Sequence, residues 1–409
     1  MKSDLDRLMA ERAIDALLIL PGENEDPYRV YLSNGVQHSG LVLKRRSEPP
    51  VLIVNSMERD EAARSGLAVY TYDNFGYSEL ARTYQDNRDT ITVTWYSRIF
   101  EEFGVAGKVG LYGVSDLNAA LSTVRILEKA LSDRLHFVTE EPRDTIFDRA
   151  YETKDPAEVT RLREVARRTS AVVRATRDWL ATHRAAGDTV ITAEGTPLRI
   201  GDVKRHVRGL LFAEGLVDSE GMIFAQGRDA AVPHSKGADS EPLRLGTTIV
   251  FDLFPREPGG YFHDMTRTWC LGYAPPEVQA VYETVMDAFR RAQAMCAPGV
   301  STSAVQRMVC ELFEAAGHPT VLHSPATTDG YTHSLAHGVG LNVHEAPYFP
   351  TFSNRYTLQP GNVFTIEPGL YYAERGYGVR IEDTVYLNEA DELETLTDVP
   401  YDLVIKLEQ

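Results

Sequence analysis

Acidic residues sit inside runs that otherwise read as buried β-strands, and this restricts what the chain can fold into more than any other feature. Thr248-Ile249-Val250-Phe251-Asp252-Leu253-Phe254 is apolar on both sides of its carboxylate, the pattern of a strand covered on both faces. Glu367 follows Val363-Phe364-Thr365-Ile366, and Glu382 lies in the alternating stretch Val379 to Leu387. There Val379, Ile381, Val385 and Leu387 share one face, and Arg380, Glu382, Thr384 and Tyr386 the other. Asp264 lies 12 residues beyond Asp252, across the turn-forming segment Pro255 to Gly260, so a two-strand turn would bring the two acids side by side. A buried carboxylate must be neutralised, paired or bound to a cation. For one acid, a salt bridge to arginine or lysine is the ordinary solution. Four in one region demand more, because like charges share a site only when protons or cations offset them. Arg380 and Arg267 supply single charges, whereas divalent metals supply two each.

The surrounding sequence divides near residue 150. Before it, helical spacing at 1–14 (Leu5, Leu8, Met9, Ala13), strand runs at Ala16 to Leu20 and Val51 to Val54, and a helical pattern at Ala119 to Ala130 predict an α/β layer with a mostly parallel sheet. The Tyr-rich stretch Tyr70 to Tyr96 could line a binding surface, but reads better as half-buried loops and strands. Beyond the break, Asp155-Pro156-Ala157-Glu158 is a helix start with N-cap, proline and capping box. Helices are predicted near 202–213, 276–296 and 302–316. Strands are expected at Thr247 to Phe254, Val363 to Glu367, Val379 to Leu387 and Leu403 to Leu407. The whole is an α+β chain whose domains are placed at 1–152 and 153–409.

Histidines supply the second clue. Five of the eleven fall within 318–344: His318, His323, His333, His337 and His344. His337 and His344 are separated by an odd interval, which on an ideal strand puts them on opposite faces; a bulge at Gly338 or Gly340 would reunite them. Carboxylates with one or two imidazoles and no thiolate form a hard, oxygen-rich site for paired manganese, cobalt, zinc or iron ions. Two such ions roughly 3.5–4 Å apart lower the pKa of a bound water toward ~7, giving a hydroxide nucleophile. A histidine outside the ligand set can then stabilise an oxyanion or assist the leaving amine. The residue types point to a hydrolase.

Charge and cysteine content narrow the setting. The net charge of −17 disfavours nucleic acid or an anionic membrane as partner. Three cysteines without C-x-x-C spacing fit a reducing compartment. Neither a signal peptide nor a bilayer-spanning run is evident, and a cytoplasmic protein is expected.

Thr247 to Trp269, His333 to Pro347, Phe364 to Gly369 and Gly378 to Thr384, in this order, resemble the signature segments of the creatinase/methionine aminopeptidase superfamily, and within it the Xaa-Pro peptidases, prolidase and aminopeptidase P. The resemblance implies a C-terminal pita-bread catalytic domain behind a smaller N-terminal creatinase-like α/β domain. It implies metal ligands at Asp252, Asp264, His337, Glu367 and Glu382, with Asp264 and Glu382 bridging two divalent ions, manganese first and cobalt, zinc or iron as alternatives. Glu367 matches the general base. His344 and His234, the latter 18 residues before Asp252, match the catalytic histidines that are not ligands. His333 and Arg380 match positions that support the ligands or contact substrate. Peptides with proline second are the implied substrates, and a homodimer the implied assembly. Dipeptidase is the first expectation and aminopeptidase P the second; a creatinase-like amide hydrolase or a non-catalytic binding module would instead have lost ligands, and all five positions are filled. Two departures stand out: Leu253-Phe254 occupies a position where the family commonly has a small residue and glycine, and the loop to Asp264 is longer than usual. Arg355 and Arg380 are candidates for holding a dipeptide's free carboxylate, as is an arginine from the first domain or a neighbouring subunit.

Overall fold

The computed structural model describes residues 1–23 and 25–408. The chain divides into two compact units, Met1–Ala150 and Tyr151–Gln409. In the first, a six-stranded sheet has the order β4-β3-β2-β1-β5-β6, with β1 Ala16–Ile19, β2 Leu41–Arg45, β3 Val51–Val54, β4 Ala68–Thr71, β5 Gly107–Tyr112 and β6 Leu135–Val138. β1 is apolar at every position and wholly buried, as a strand covered on both faces must be. It pairs in parallel with β5 and antiparallel with β2. β2 also runs against β3, so five strands share one direction and β2 alone opposes them.

The stretch Tyr70 to Tyr96 corrects the expectation of loops and strands. After β4 and a short 3-10 turn it forms two helices, α1 Tyr77–Tyr84 and α2 Arg88–Glu102. The segment Ile91-Thr-Val-Thr-Trp95-Tyr96 has the β-branched and aromatic composition of a strand. The packing decides otherwise: Asn87 caps the helix through Thr90 N, and Ile91, Trp95 and Ile99, four residues apart, are buried together against Leu18, Ile53 and Val109. Tertiary context overrides local β-preference here. Tyr72, Tyr77, Trp95 and Tyr96 also line a cavity of about 570 Å³.

In the second unit, α3 Pro156–Ala181 opens on the Asp155/Glu158 capping box and buries Val159, Leu162, Val165, Ala166 and Val173 along one side. Next come α4 Ile200–Ala213, β7 Ile223–Gln226, β8 Thr248–Leu253 and β9 Met265–Leu271. β7, β8 and β9 are successive antiparallel neighbours in a four-stranded sheet whose outer strand is the C-terminal Val404–Ile405. Helices α5 Pro276–Met295 and α6 Thr302–Ala315 lead to β10 His337–Gly338, β11 Glu345–Tyr348, β12 Val363–Ile366, β13 Gly369–Tyr372, β14 Tyr377–Arg380 and β15 Asp383–Leu387. β11, β10, β12 and β15 are consecutive in a second sheet, and β13 and β14 form a two-stranded ribbon. One large core, including Val285, Phe289, Val305, Val309, Phe313, Phe364, Ile366, Val379 and Val385, fills the space between α5, α6 and these strands. A bridge between Thr266 and Glu382 joins β9 to the turn between β14 and β15. That bridge brings the acids of two sheets together. Among the described residues, no helix is long and apolar enough to cross a membrane.

Candidate metal centre

Asp252 stands on β8 opposite Thr266 of β9. Asp264, two residues before Thr266, projects on the same side from the residue just ahead of β9. The two acids are thus diagonal neighbours rather than a directly opposed pair. Thr384 fixes the Asp264 backbone: its hydroxyl donates to the Asp264 carbonyl at 2.7 Å and receives the Asp264 N–H at 3.3 Å. Thr266 does the equivalent for Glu382, donating from Oγ1 to Oε2 at 2.6 Å. Arg380 completes this side. Its Nη2 donates to Asp252 Oδ2 at 2.5 Å, its Nε to Thr266 Oγ1 at 3.0 Å, and its Nη1 to Tyr371 Oη at 3.1 Å and Pro233 O at 3.3 Å. With four of roughly five N–H groups engaged and the residue 3% exposed, Arg380 is committed to the protein. It does not offer a free fork to a substrate carboxylate.

His337 enters from β10. Its N–H is held by Thr365 Oγ1, and its Nδ1 lies 3.1 Å from the Gly338 carbonyl. A carbonyl can only accept, so Nδ1 carries the ring proton and Nε2 presents a lone pair. Burial, then the neighbouring His344, pushes the His337 pKa down to about 3, so the ring is neutral. Its Nε2 lies 3.7 Å from Asp264 Oδ2 and 3.5 Å from Glu367 Oε1. Ligand atoms of Asp264, His337 and Glu382 all lie within 4.8 Å of one another. An imidazole lone pair and several carboxylate oxygens thus crowd one small volume, which only protons or a cation can reconcile.

The carboxylates register the same conflict. Burial and the charge of Glu382 hold the Asp264 pKa well above the usual range, and the same two causes, in the same order, raise that of Glu367. Burial and the charge of Asp252 push Glu382 up to about 8. Asp252 Oδ1 and Asp264 Oδ1 are buried with no hydrogen-bond partner. Among the described residues no lysine or arginine pairs with Asp264, Glu367 or Glu382; Arg380 meets Asp252 alone. A divalent cation resolves all of these at once, and the donor set of carboxylate oxygens and one imidazole nitrogen fits hard or borderline ions. The residues fit a metal.

A pH dependence follows for protein stripped of metal. A carboxylate whose folded pKa exceeds its unfolded value binds its proton more tightly in the native state, so native stability falls as pH rises from the unfolded value toward the folded one. Glu382, at about 8 against an ordinary 4.5, places this window between about pH 4.5 and 8. Thermal melts of chelator-treated protein are expected to show Tm decreasing across that range, with added divalent metal reversing the loss at pH 8. A Tm that rises across the window would contradict the assignment.

The remaining predicted residues surround this cluster. His333 is not a ligand in this arrangement. Its Nδ1 faces the Ser334 carbonyl at 2.8 Å and its Nε2 the Tyr371 hydroxyl at 2.9 Å, so both nitrogens are occupied. The polarity runs from Arg380 Nη1 to Tyr371 Oη to His333 Nε2. His344 sits at the exposed rim with its ring centroid 4.2 Å from that of His337. The register shift at His337/Gly338 and the loop at 339–344 reconcile the odd interval between them. His234, also exposed, lies within electrostatic reach of both His333 and His344. Thr266, Tyr371, Thr365 and Thr384 were not legible as site residues. The available signals were Thr266's two-residue spacing from Asp264 and Thr384's from Glu382.

Residues 160–389, more than half of the chain, match the model of metallopeptidase family M24. The chain belongs to metallopeptidase family M24. The M24 chain is 32% identical over 204 residues to the probable dipeptidase PepE of Mycobacterium tuberculosis, covering 50% of this chain and 51% of that protein. It is 35% identical over 167 residues to the Xaa-Pro dipeptidase of Pyrococcus furiosus, covering 41% and 44%. The matches thus span about half the length of these curated relatives. In solved structures, the X-Pro aminopeptidase of Thermotoga maritima shares its fold at a TM-score of 0.73 and 24% identity over 99% of both chains. The Xaa-Pro dipeptidase of Bacillus anthracis does so at 0.75 and 21%, again over 99% of both. The expected pita-bread architecture with a smaller α/β unit is therefore the fold of this M24 metallopeptidase.

Proposed function

We propose that this chain is a Xaa-Pro dipeptidase that holds two divalent ions, manganese first, with Asp252, Asp264, His337, Glu367 and Glu382, and cleaves the peptide bond preceding proline. The observation that carries this reading is the unprotonated Nε2 of His337 aimed at carboxylate oxygens of Asp264 and Glu367 at 3.7 and 3.5 Å. Asp264 and Glu382 would be among the acids that hold the ions, in a catalytic domain taken as 153–409, with 1–152 as the N-terminal domain. When bound, such ions lower the pKa of water toward ~7 and polarise the scissile carbonyl.

The chain's own residues do the rest. Glu367, with its raised proton affinity, accepts a proton at its carboxylate from the attacking water and delivers it to the departing proline nitrogen. His344 and His234, at the rim, donate N–H hydrogen bonds to the oxygen that gains charge. Arg380 fixes Asp252 and, through Thr266, Glu382, so the ligand oxygens are preset. Tyr371 keeps His333 turned beside Glu367, with His333 Nδ1 3.9 Å from Glu367 Oε2. A homodimer in a reducing, cytoplasmic setting belongs to the same proposal and is in keeping with three free, buried cysteines.

The test is cleavage by manganese-loaded protein of Xaa-Pro dipeptides and Xaa-Pro-Yaa tripeptides. Turnover of the dipeptides is expected. Turnover of tripeptides alone would reassign the chain as an aminopeptidase P, and cleavage of neither, with metal bound, would overturn the proposal.

A further inference from the structure

Lys154 and Glu345 form an ion pair at 2.7 Å between side chains only 1% and 3% exposed, and the mechanism above makes no use of it. Burying a pair this completely is unfavourable unless other donors and acceptors support it, and here both partners have further hydrogen bonds. Lys154 Nζ also donates to the Tyr151 carbonyl at 2.7 Å. Glu345 Oε2 accepts from Asn342 N at 3.2 Å and Asn342 Nδ2 at 3.4 Å. The Glu345 carboxylate is thus wrapped by the loop that joins His337 to His344. Gly340 leaves room for this carboxylate, since a Cβ at that position would meet Glu345 Oε1. Gly338, the cross-strand partner of Glu345, likewise has no room for a side chain against the backbone of Ala346.

The first turn of α3, which follows Lys154 directly, also anchors the other loop of the site. Tyr261 Oη donates to Glu158 Oε1 at 2.9 Å, while Glu158 Oε2 caps the helix by accepting Asp155 N–H at 2.8 Å. The Phe262 N–H donates to the Gly340 carbonyl at 2.8 Å. Residues 154–158 therefore hold both the loop entering Asp264 and the loop carrying His344.

We propose that the buried Lys154–Glu345 pair is a positioning device that sets the His344 ring against the metal cluster, without itself touching substrate or metal. The inference rests on the peptidase reading only for its kinetic arm. Removing Lys154 leaves Glu345 buried and uncompensated, so the wrapped loop must open and His344 must shift. The acidic ligands, held from β8, from the residue ahead of β9, from the end of β12 and from the β14–β15 turn, stay in place, as does His337 on β10, whose backbone N–H is held by Thr365 Oγ1.

The experiment uses the full-length, manganese-loaded protein for kinetics and metal content, and zinc-loaded protein for histidine NMR. Lys154→Met is expected to retain the wild-type metal content, to lower kcat on an Xaa-Pro dipeptide ~10–100-fold, as a displacement near 1 Å can, and to leave KM within about threefold. The double variant Lys154→Met/Glu345→Met, which removes both buried charges, is expected to regain the wild-type Tm but not kcat. In the zinc-loaded protein, the His344 ring resonances of Lys154→Met should move while those of His337 do not. Recovery of kcat together with Tm in the double variant would show the pair to be structural only and overturn the proposal. So would joint loss of metal and turnover in Lys154→Met, or an unmoved His344 resonance. If Lys154→Met does not fold, the isosteric Glu345→Gln is read by the same criteria. A wild type inactive on every proline peptide would defeat the peptidase reading, and the NMR comparison would still decide this one.

Discussion

Asp264→Asn is expected to lose bound metal and hydrolysis together, with kcat/KM falling at least ~10³-fold, or ~4 kcal/mol of transition-state stabilisation. The substitution keeps the shape of the side chain and removes one of the charges that a pair of cations needs. It also removes a like charge from a crowded cluster, since Asp264 is raised by burial and then by Glu382, Asp252 and Glu367. Stripped of metal, the variant should therefore melt no lower than stripped wild type. Metal analysis, kinetics and a melt of the chelated protein check the three parts, and the last separates a lost ligand from a lost fold. An Asp264→Asn protein that keeps both ions and full turnover would remove Asp264 from the ligand set.

His344→Ala is expected to divide these properties. His344 stands at the rim beside His337, with ring centroids 4.2 Å apart, and its loop is pinned from below by Glu345. Deleting a hydrogen-bond donor aimed at developing charge lowers kcat by ~10²–10³-fold. Metal content should be unchanged, because the Nε2 of His337 and the four acids remain. KM should move little, since the missing interaction is stronger in the transition state than in the ground state. Loss of metal in proportion to activity would make His344 a ligand instead.

The acids were legible in the sequence because each breaks a rule of its own strand: a charge in the centre of Thr248 to Phe254, or at the end of Val363 to Ile366, has no cheap explanation. The cap at Asp155 and the glycines at 338 and 340 were legible for a similar reason, as each residue type has a specific backbone or hydrogen-bonding use. Threonines and tyrosines break no such rule. Thr266, with its hydroxyl between Arg380 and Glu382, looks like any strand threonine until β9 is laid beside the β14–β15 turn. The Lys154–Glu345 pair joins residues far apart in sequence, and no local pattern announces it. In the first unit, the segment Ile91 to Tyr96 carried the composition of a strand and the four-residue spacing of a helix. The spacing prevailed because the buried face at Ile91, Trp95 and Ile99 is worth more than local preference.

Whether separated acids and one imidazole converge to hold a pair of divalent ions is decided by counting those ions. Metal content per chain is measured after loading with manganese and removal of free ion, on wild type and on His337→Ala in parallel. About two ions per wild-type chain, with a clear deficit in the histidine variant, is the predicted result. A wild-type chain that retains no manganese, or a variant that retains as much as the wild type, would contradict it.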